Sequence, residues 1–291
     1  MRLAAFVYQQ QPQVGLVSDD LQSVTLLDLP VAERVLGALP IVERLCGGAG
    51  LPSLLQTVPL KDVRLTAPLP RPRRNIFCVG KNYYAHAKEF ASSGFDSSAK
   101  AGGDVPSVPI IFSKVPESVI ATGDTIEIPH AVSTAIDYEA ELGVIIGRGG
   151  KGISKADAMG HVWGYTIIND VTSRDWQNRH LQWHMGKSFD TFCPMGPWLV
   201  SADTCDGTHT HVRCYVNGEE RQNASTTDLI FDIPTLIETL SAGITLYPGD
   251  VIATGTPVGV GIGFKPPRYL KAGDVVRVEI DGIGALENPV R

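Results

Sequence analysis

The sequence has few cysteines and no long apolar run. Its five cysteines are widely spaced among 291 residues and form no C-x-x-C pair. That pattern favours free thiols in a reducing compartment over disulfides or a zinc site. No apolar run approaches the roughly 18 residues that a membrane-spanning helix needs. The first residues also lack the apolar segment and small-residue cleavage site of a signal peptide. We therefore expect a cytoplasmic protein with no membrane partner.

Positive charge and several familiar catalytic motifs are also lacking. The net charge is -6 at pH 7, which argues against nucleic acid as the main partner. There is no G-x-S-x-G motif, and the segment HLQWH lacks the glutamate of H-E-x-x-H, so neither a serine hydrolase elbow nor a zincin is expected. The glycine-rich segment GTPVGVGIG has no G-K-[ST]. Its glycines instead predict a backbone that approaches a ligand closely.

Short strand-like segments, divided by glycine, proline and aspartate, are abundant. The segment APLPRPRRN contains three prolines and predicts a linker. We place a domain boundary there, with a small N-terminal α/β domain at 1–70 and a catalytic domain at 71–291. The second domain has many strand patterns and few helical ones, which predicts a mostly-β, mixed α+β fold. The Ser-, Gly- and Asp-rich segment 92–109 predicts a loop long enough to serve as a lid.

Two glutamates interrupt IDYEAELGVIIG, a segment that otherwise looks like a buried strand. Because side chains alternate along a strand, Glu139 and Glu141 would project to one face, about 7 Å apart. Like charges there repel each other unless a cation or a proton intervenes. Asp170 ends a second apolar run, WGYTIIND. Three carboxylates are a hard oxygen ligand set that suits Mg²⁺, Mn²⁺ or Ca²⁺. The alternative for either glutamate is a solvent-facing position paired to a lysine.

Other polar residues follow Asp170. A helix that starts after Asp170 would place Arg174 and Gln177 on the same face as that aspartate, where both could bind a substrate carboxylate. An ordinary ion pair between Asp170 and Arg174 fits the same spacing. Lys187 is the one cation in MGKSFDTFCPMGPWLV. It is a candidate for stabilising an enolate, and the alternative is a surface lysine beside Asp190.

A histidine and a glutamate lie three residues apart in NYYAHAKEF. On a helix, His86 and Glu89 would be neighbours on one face. A carboxylate beside an imidazole orients it and raises its basicity, as a general base requires. A simple helical ion pair has the same spacing.

Six motifs together resemble the fumarylacetoacetate hydrolase family. They occur in the family's order across about 75–285 and are NIFCVGKNYYAHAKE, DYEAELGVIIG, IINDVTSRDWQ, GKSFDTFCPMGPWLV, YPGDVIATGTPVGVG and LKAGDVVRVEIDGIG. The resemblance implies a mixed β-roll fold, usually a homodimer, with a Mg²⁺-type site. Residues 1–68 look like the small N-terminal domain that many members have.

The resemblance also implies a role for individual residues. Glu139, Glu141 and Asp170 would bind the metal. The other roles are water activation for His86 and Glu89, a position near the metal for Lys187, and substrate binding for Arg174, Gln177 and Thr256. The spacer between Asp170 and Lys187 varies among members, and segment 92–109 has no family counterpart that fixes the substrate.

These residues lead to a hypothesis of metal-dependent hydrolysis of a C–C bond in an acylpyruvate-like 2-oxo acid. His86, oriented by Glu89, would deprotonate a water that attacks the distal carbonyl, and Lys187 and the metal would stabilise a pyruvate enolate. Closure of helix 83–91 and the loop after it would exclude bulk water. Rival reactions through the same enolate are isomerisation of hydroxy-dienedioates, oxaloacetate-type decarboxylation and hydrolysis of diketo-deoxy sugar acids. A rival of another class is a non-catalytic protein that binds metal and a 2-oxo acid.

Overall fold

The computed structural model of the chain describes residues 1–91, 105–180 and 182–291. The loop predicted at 92–109 therefore lies, except for its last five residues, outside the described part. Among the described residues, none of the helices combines the length and the hydrophobicity that crossing a bilayer requires.

Strands dominate the described part of the chain. They are β1 (Arg2–Tyr8), β2 (Gln11–Val17), β3 (Ser23–Leu27), β4 (Leu54–Pro59), β5 (Arg64–Thr66), β6 (Ile76–Gly80), β7 (Ile110–Lys114), β8 (Val119–Ile120), β9 (Ile136–Asp137), β10 (Ala140–Ile146), β11 (Val162–Asn169), β12 (Thr172–Ser173), β13 (Cys193–Ser201), β14 (His211–Val216), β15 (Glu219–Ser225), β16 (Val251–Ala253), β17 (Val275–Ile280) and β18 (Gly284–Pro289). The α-helices are α1 (Val31–Arg34), α2 (Leu39–Cys46), α3 (Tyr84–Ala91), α4 (Arg174–Arg179), α5 (His184–Lys187) and α6 (Ile233–Ser241).

A large mixed sheet forms the centre of the fold. Its strands lie in the order β4-β3-β2-β1-β13-β11-β10-β16-β6-β7, with β5 beside β1 and β8 beside β13. A four-stranded sheet, β15-β14-β17-β18, is separate from it, and β9 and β12 form a short ribbon. One apolar core contains Ile167 and Val200 from the large sheet together with Val278 and Leu286 from the four-stranded sheet. The predicted mostly-β, α+β fold is confirmed.

The N-terminal strands extend this central sheet. Strand β1 pairs antiparallel with β13, and Leu3 lies opposite Leu199. Both leucines belong to a second buried cluster that also contains Val14 of β2. Strands from both sides of the expected linker thus belong to one sheet. The division into domains at residue 70 stays a prediction.

Local elements agree with the sequence patterns in type, with shifted ends. The segment NIFCVG contains β6, AELGVIIG contains β10, and the helix in NYYAHAKEF is α3, which begins at Tyr84. The expectation that Glu139 lies within a strand is wrong, because β10 begins at Ala140. The amide of Glu139 donates to the side-chain oxygen of Asn169 at 3.0 Å, so a side chain replaces the regular partner of the ladder there.

Candidate metal centre and active site

Three buried carboxylates meet where two neighbouring strands of the central sheet come together. Glu141 lies in β10, Glu139 just precedes it, and Asp170 directly follows β11. Ala140 pairs with Asn169 across these antiparallel strands, which brings the three acids to one place. One oxygen from each carboxylate lies within 4.8 Å of the others, and all three residues are buried. Neither glutamate faces solvent.

The surroundings of the two glutamates shift their pKa values in opposite directions. Burial and the charges of Asp170 and Glu139 raise the pKa of Glu141 well above its usual value. Burial also acts to raise the pKa of Glu139, but attraction to Lys187 and Arg174 outweighs it and lowers the value to about 2. A cluster of hard oxygen donors with this much repulsion fits a divalent cation such as Mg²⁺.

Lys187 lies against this cluster at the end of α5. Its ammonium donates to Glu139 Oε2 at 2.8 Å and to Asp170 Oδ2 at 2.7 Å, and it lies 4.9 Å from the centre of the Phe112 ring. Burial acts to lower the pKa of Lys187, but the charges of Asp170 and Glu139 raise it overall. The alternative of a surface lysine beside Asp190 is wrong, because Lys187 is 1% exposed.

A second lysine, which the sequence analysis missed, contacts the same aspartate. Lys114 ends β7 and is completely buried. Its ammonium donates to Asp170 Oδ1 at 2.6 Å, to the carbonyl oxygen of Val171 at 3.1 Å and to the carbonyl oxygen of Lys187. Its sequence signal was a lone charge that closes the apolar run PIIFSK.

Arg174 is held beside the cluster by carboxylates. Its Nε donates to Asp137 Oδ2 at 2.8 Å, and its Nη1 lies 2.8 Å from Glu139 Oε1 and 3.1 Å from Gln177 Oε1. Its Nη2 is buried without a hydrogen-bond partner among the described residues. Helix α4 begins at Arg174, so the expectation that Asp170 lies on the same helix face is wrong.

Asp137 is the other residue that sequence reasoning missed. It is fully buried and accepts hydrogen bonds from the backbone N–H groups of Gly261 at 2.6 Å and Ile262 at 3.0 Å, besides its contact with Arg174. Its signal was present, since it lies two residues before Glu139 in DYEAE and continues the same alternation.

The predicted histidine–glutamate pair forms on α3. His86 is 4% exposed, and its Nδ1 lies 3.1 Å from Glu89 Oε2. Glu89 also accepts a hydrogen bond from the backbone N–H of Gly259 at 3.1 Å. Gly259, which lies outside α3, therefore fixes the carboxylate of Glu89, and Glu89 in turn fixes the imidazole of His86.

The glycine-rich segment runs along the carboxylates. The backbone N–H of Gly255 donates to Glu141 Oε2 at 2.8 Å, and those of Gly259 and Gly261 donate to Glu89 and Asp137. Gly259 has φ +106°, and a Cβ there would lie 1.8 Å from the carbonyl oxygen of Arg221. The close approach predicted for these glycines is thus an approach to carboxylates of the protein itself.

These groups surround one small cavity. Seven of the nine predicted site residues line it, namely His86, Glu139, Glu141, Arg174, Gln177, Lys187 and Thr256. Asp170 and Glu89 connect to it through Lys187 and His86. Aromatic rings of Phe90, Phe112 and Trp183 form its apolar wall. The cavity has a volume of about 10 Å³, room for roughly one water.

A model of the "Fumarylacetoacetate (FAA) hydrolase C-terminal" family matches residues 75–291. The chain belongs to the fumarylacetoacetate hydrolase family. The resemblance seen in the six sequence motifs is therefore confirmed.

Proteins similar to this chain carry the names of different enzymes. An oxaloacetate tautomerase of Bacillus subtilis is 50% identical over 232 residues, which cover 79% of this chain and 74% of the relative. The structure of a fumarylacetoacetate hydrolase from Exiguobacterium antarcticum matches with a TM-score of 0.83 and 39% identity, over 100% of this chain and 99% of the other. A 2-hydroxyhepta-2,4-diene-1,7-dioate isomerase from Mycobacterium marinum matches with a TM-score of 0.79 and 32% identity, over 100% and 98%. These relatives support an enzyme.

Proposed function

We propose that the protein catalyses metal-dependent keto–enol tautomerisation of a small 2-oxo dicarboxylic acid, with oxaloacetate as the first substrate to test. The observation that carries the proposal is a single cavity lined by two glutamates of the carboxylate cluster, an arginine with an unpartnered Nη2 and a histidine held by a glutamate. The tautomerase and isomerase names of two relatives support it. The proposal takes the isomerase alternative over the hydrolase expected first.

The residues divide into a metal-binding and a substrate-binding group. Glu139, Glu141 and Asp170 would hold Mg²⁺, with Mn²⁺ or Ca²⁺ as alternatives. When bound, the cation supplies positive charge that stabilises an enolate oxygen. Arg174 offers its buried Nη2 to a substrate carboxylate, since a guanidinium suits planar carboxylates.

Gln177 and Thr256 line the same cavity as Arg174. Gln177 orients Arg174 by accepting from its Nη1. Thr256 is itself held by the side chain of Gln222, whose Nε2 donates to Thr256 Oγ1 at 2.8 Å. We assign both residues to the binding of the substrate's polar groups.

The proton transfer is assigned to His86. Conversion of the enol to the keto form adds a proton at C3 and removes one from the hydroxyl oxygen. Because Nδ1 of His86 is engaged by Glu89, Nε2 is the atom that would take the proton from the enol hydroxyl and deliver it to C3, which returns the imidazole to its starting state. The Lys187 ammonium would stabilise the negative charge that develops on the enolate oxygen. Water takes no part in the reaction.

A second candidate is hydrolysis of an acylpyruvate, favoured by the same His86–Glu89 contact, which also suits activation of a water. The two reactions and oxaloacetate decarboxylation differ in their products. Tautomerisation conserves the carbon skeleton, hydrolysis splits it, and decarboxylation releases carbon dioxide.

Cytoplasmic location and a homodimeric state are part of the proposal as sequence-based predictions.

The test follows the ultraviolet absorbance of enol-oxaloacetate with Mg²⁺ and with a chelator. We expect metal-dependent loss of the enol signal, and we expect His86→Ala to lower turnover by at least about 100-fold, the scale of a general acid–base group. His209→Ala is the matched control, because that histidine also pairs with an acid but is 70% exposed. Turnover by His86→Ala within a few-fold of the parent would contradict the assignment.

A further inference from the structure

Lys114 has an environment that the proposed reaction does not use. Its ammonium is completely buried and donates to the Asp170 carboxylate and to the backbone carbonyls of Val171 and Lys187. An ammonium has three N–H donors, so all of them are engaged. Lys114 is not among the residues that line the cavity, and a direct contact with substrate is therefore not its function.

The three acceptors belong to chain segments that build the metal centre. Asp170 and Val171 follow β11, and Lys187 ends α5. Lys114, at the end of β7, thus connects the side chain of Asp170 to the backbone of Lys187, and the Lys187 ammonium contacts the same aspartate. This hydrogen bond to the Lys187 carbonyl fixes the backbone of Lys187. It does not restrict the rotation of the Lys187 side chain.

Asp170 is shared between the two lysines. Its Oδ1 contacts Lys114 at 2.6 Å and its Oδ2 contacts Lys187 at 2.7 Å. Only Lys187 of these two lines the cavity. If Lys187 turns toward a substrate, Lys114 still compensates the buried charge of Asp170, which would otherwise be very costly.

The charges of the cluster support a distinct role for this second lysine. Ion pairs in the described part of the chain join three acids, Asp137, Glu139 and Asp170, to Lys114, Arg174 and Lys187. Glu141 has none of the ion pairs found for the other three acids in the described part of the chain. Asp170 is therefore held by two lysines, whereas Glu141 is left for another cation to contact.

We propose that Lys114 is a positioning residue of the metal centre. It holds Asp170 and the end of α5 in place, so that Asp170 can bind a divalent cation while Lys187 serves the substrate. This inference rests on the metal site of the proposed function and goes beyond it by assigning different roles to the two lysines.

The test measures Mn²⁺ binding to metal-stripped protein by electron paramagnetic resonance or calorimetry, together with kcat at saturating Mn²⁺. For Lys114→Met we expect Mn²⁺ affinity to fall about 10- to 100-fold, the range for residues that orient metal ligands. We expect kcat at saturating Mn²⁺ to fall by a smaller factor than the Mn²⁺ affinity does, because Lys114 does not touch substrate. Lys187→Met should show the opposite split, with kcat low even at saturating Mn²⁺.

Two further variants make the comparison complete. Lys155→Met removes a lysine that pairs with Asp232 at the surface, and it should change neither quantity. Lys114→Arg keeps the charge, but a planar guanidinium cannot reproduce the three contacts of an ammonium. It should lower Mn²⁺ affinity at least about tenfold and serves if Lys114→Met does not fold.

The outcomes separate this inference from the proposed function. Mn²⁺ affinity within about twofold of the parent in either folded variant would overturn the role of Lys114. Failure of both variants to fold with saturating Mn²⁺ would also overturn it, because it would mark a general structural role. A parent protein that binds no Mn²⁺ overturns the metal centre and Lys114's role together. If the parent binds Mn²⁺ but leaves oxaloacetate unchanged, only the proposed reaction is wrong. The Mn²⁺ affinities of the variants then still decide the role of Lys114.

Discussion

At the scale of single residues, the site is governed by buried acids that differ in their partners. Glu139 and Asp170 contact cationic side chains directly, whereas the side chain of Glu141 accepts a hydrogen bond from the backbone N–H of Gly255. The raised pKa of Glu141 follows from burial and from its two acidic neighbours. A divalent cation would remove this cost by attracting all three carboxylates at once.

Substitution of Glu141 tests this account. In Glu141→Gln the neutral amide removes the repulsion, and its oxygen still accepts from Gly255, so the metal-free variant should be at least as stable as the parent. Mg²⁺ at 100 times Kd should stabilise the parent by about 2.7 kcal/mol. Each kcal/mol should raise Tm by about 2–4 °C. The variant should show no such shift in a thermal melt.

The exposed Glu117 provides the control for this substitution. Glu117→Gln should keep the full Mg²⁺-induced shift. If Glu141→Gln were stabilised by Mg²⁺ as strongly as the parent, Glu141 would not be a ligand.

Sequence reasoning found the acids of the site more easily than their partners. Glu139, Glu141 and Asp170 stand out because carboxylates are rare in apolar strand patterns. Lys114 did not stand out, because a lysine at the end of a strand is common at protein surfaces and its burial depends on α5, which follows some 70 residues later in the chain. Contacts between segments this distant in sequence leave no local pattern.

At the scale of elements, the glycine-rich segment 255–263 positions three acids of the site. Its backbone N–H groups donate to Glu141, Glu89 and Asp137. One segment therefore orients a carboxylate of the candidate metal centre, the partner of His86 and the partner of Arg174. Such contacts require the main chain to come close, and Gly259 is where a side chain would be least tolerated.

Two glycine substitutions separate backbone strain from loss of the site. Gly259 and Gly218 both have positive φ, but a Cβ at Gly218 would meet nothing within 4 Å. Gly218→Ala should cost only about 1–2 kcal/mol of backbone strain and leave turnover within about twofold of the parent. Gly259→Ala should displace the segment and lower kcat/KM at least about tenfold, since misplaced catalytic groups are costly.

Steady-state kinetics and chemical denaturation of both variants check this prediction. Equal activity of the two variants would show that the segment does not orient the site.

Element types were more predictable than element ends. The strand patterns of β6 and β10 and the helical pattern of α3 were recognisable because periodicity depends on local sequence. The exclusion of Glu139 from β10 was not, because it depends on the side chain of Asn169 from a neighbouring strand. The late start of α4 at Arg174 likewise follows the ribbon of β12 with β9, a pairing that the sequence does not display.

At the scale of the whole molecule, the N-terminal strands and the central sheet form one continuous layer. Strand β1 covers an edge of β13, and its Leu3 shares a buried cluster with Leu199 and Met195. A chain that starts at residue 71 would expose this edge and these apolar side chains. Exposed sheet edges of this kind promote aggregation.

Truncation therefore tests the predicted domain boundary. We expect residues 71–291 alone to lose cooperative unfolding or to aggregate, as judged by circular dichroism and sedimentation. A truncated chain that unfolds cooperatively at the Tm of the full chain would show that the first 70 residues are a separable domain.

The central claim is that the buried carboxylate centre and His86 move a proton on a 2-oxo acid without breaking its carbon skeleton. The most direct measurement follows oxaloacetate by proton nuclear magnetic resonance in the presence of Mg²⁺-loaded protein, with a chelated sample beside it. The account predicts metal-dependent acceleration of enol–keto interconversion with no pyruvate formed above the uncatalysed rate. Interconversion at the uncatalysed rate, or enzyme-dependent release of pyruvate as the main product, would contradict it.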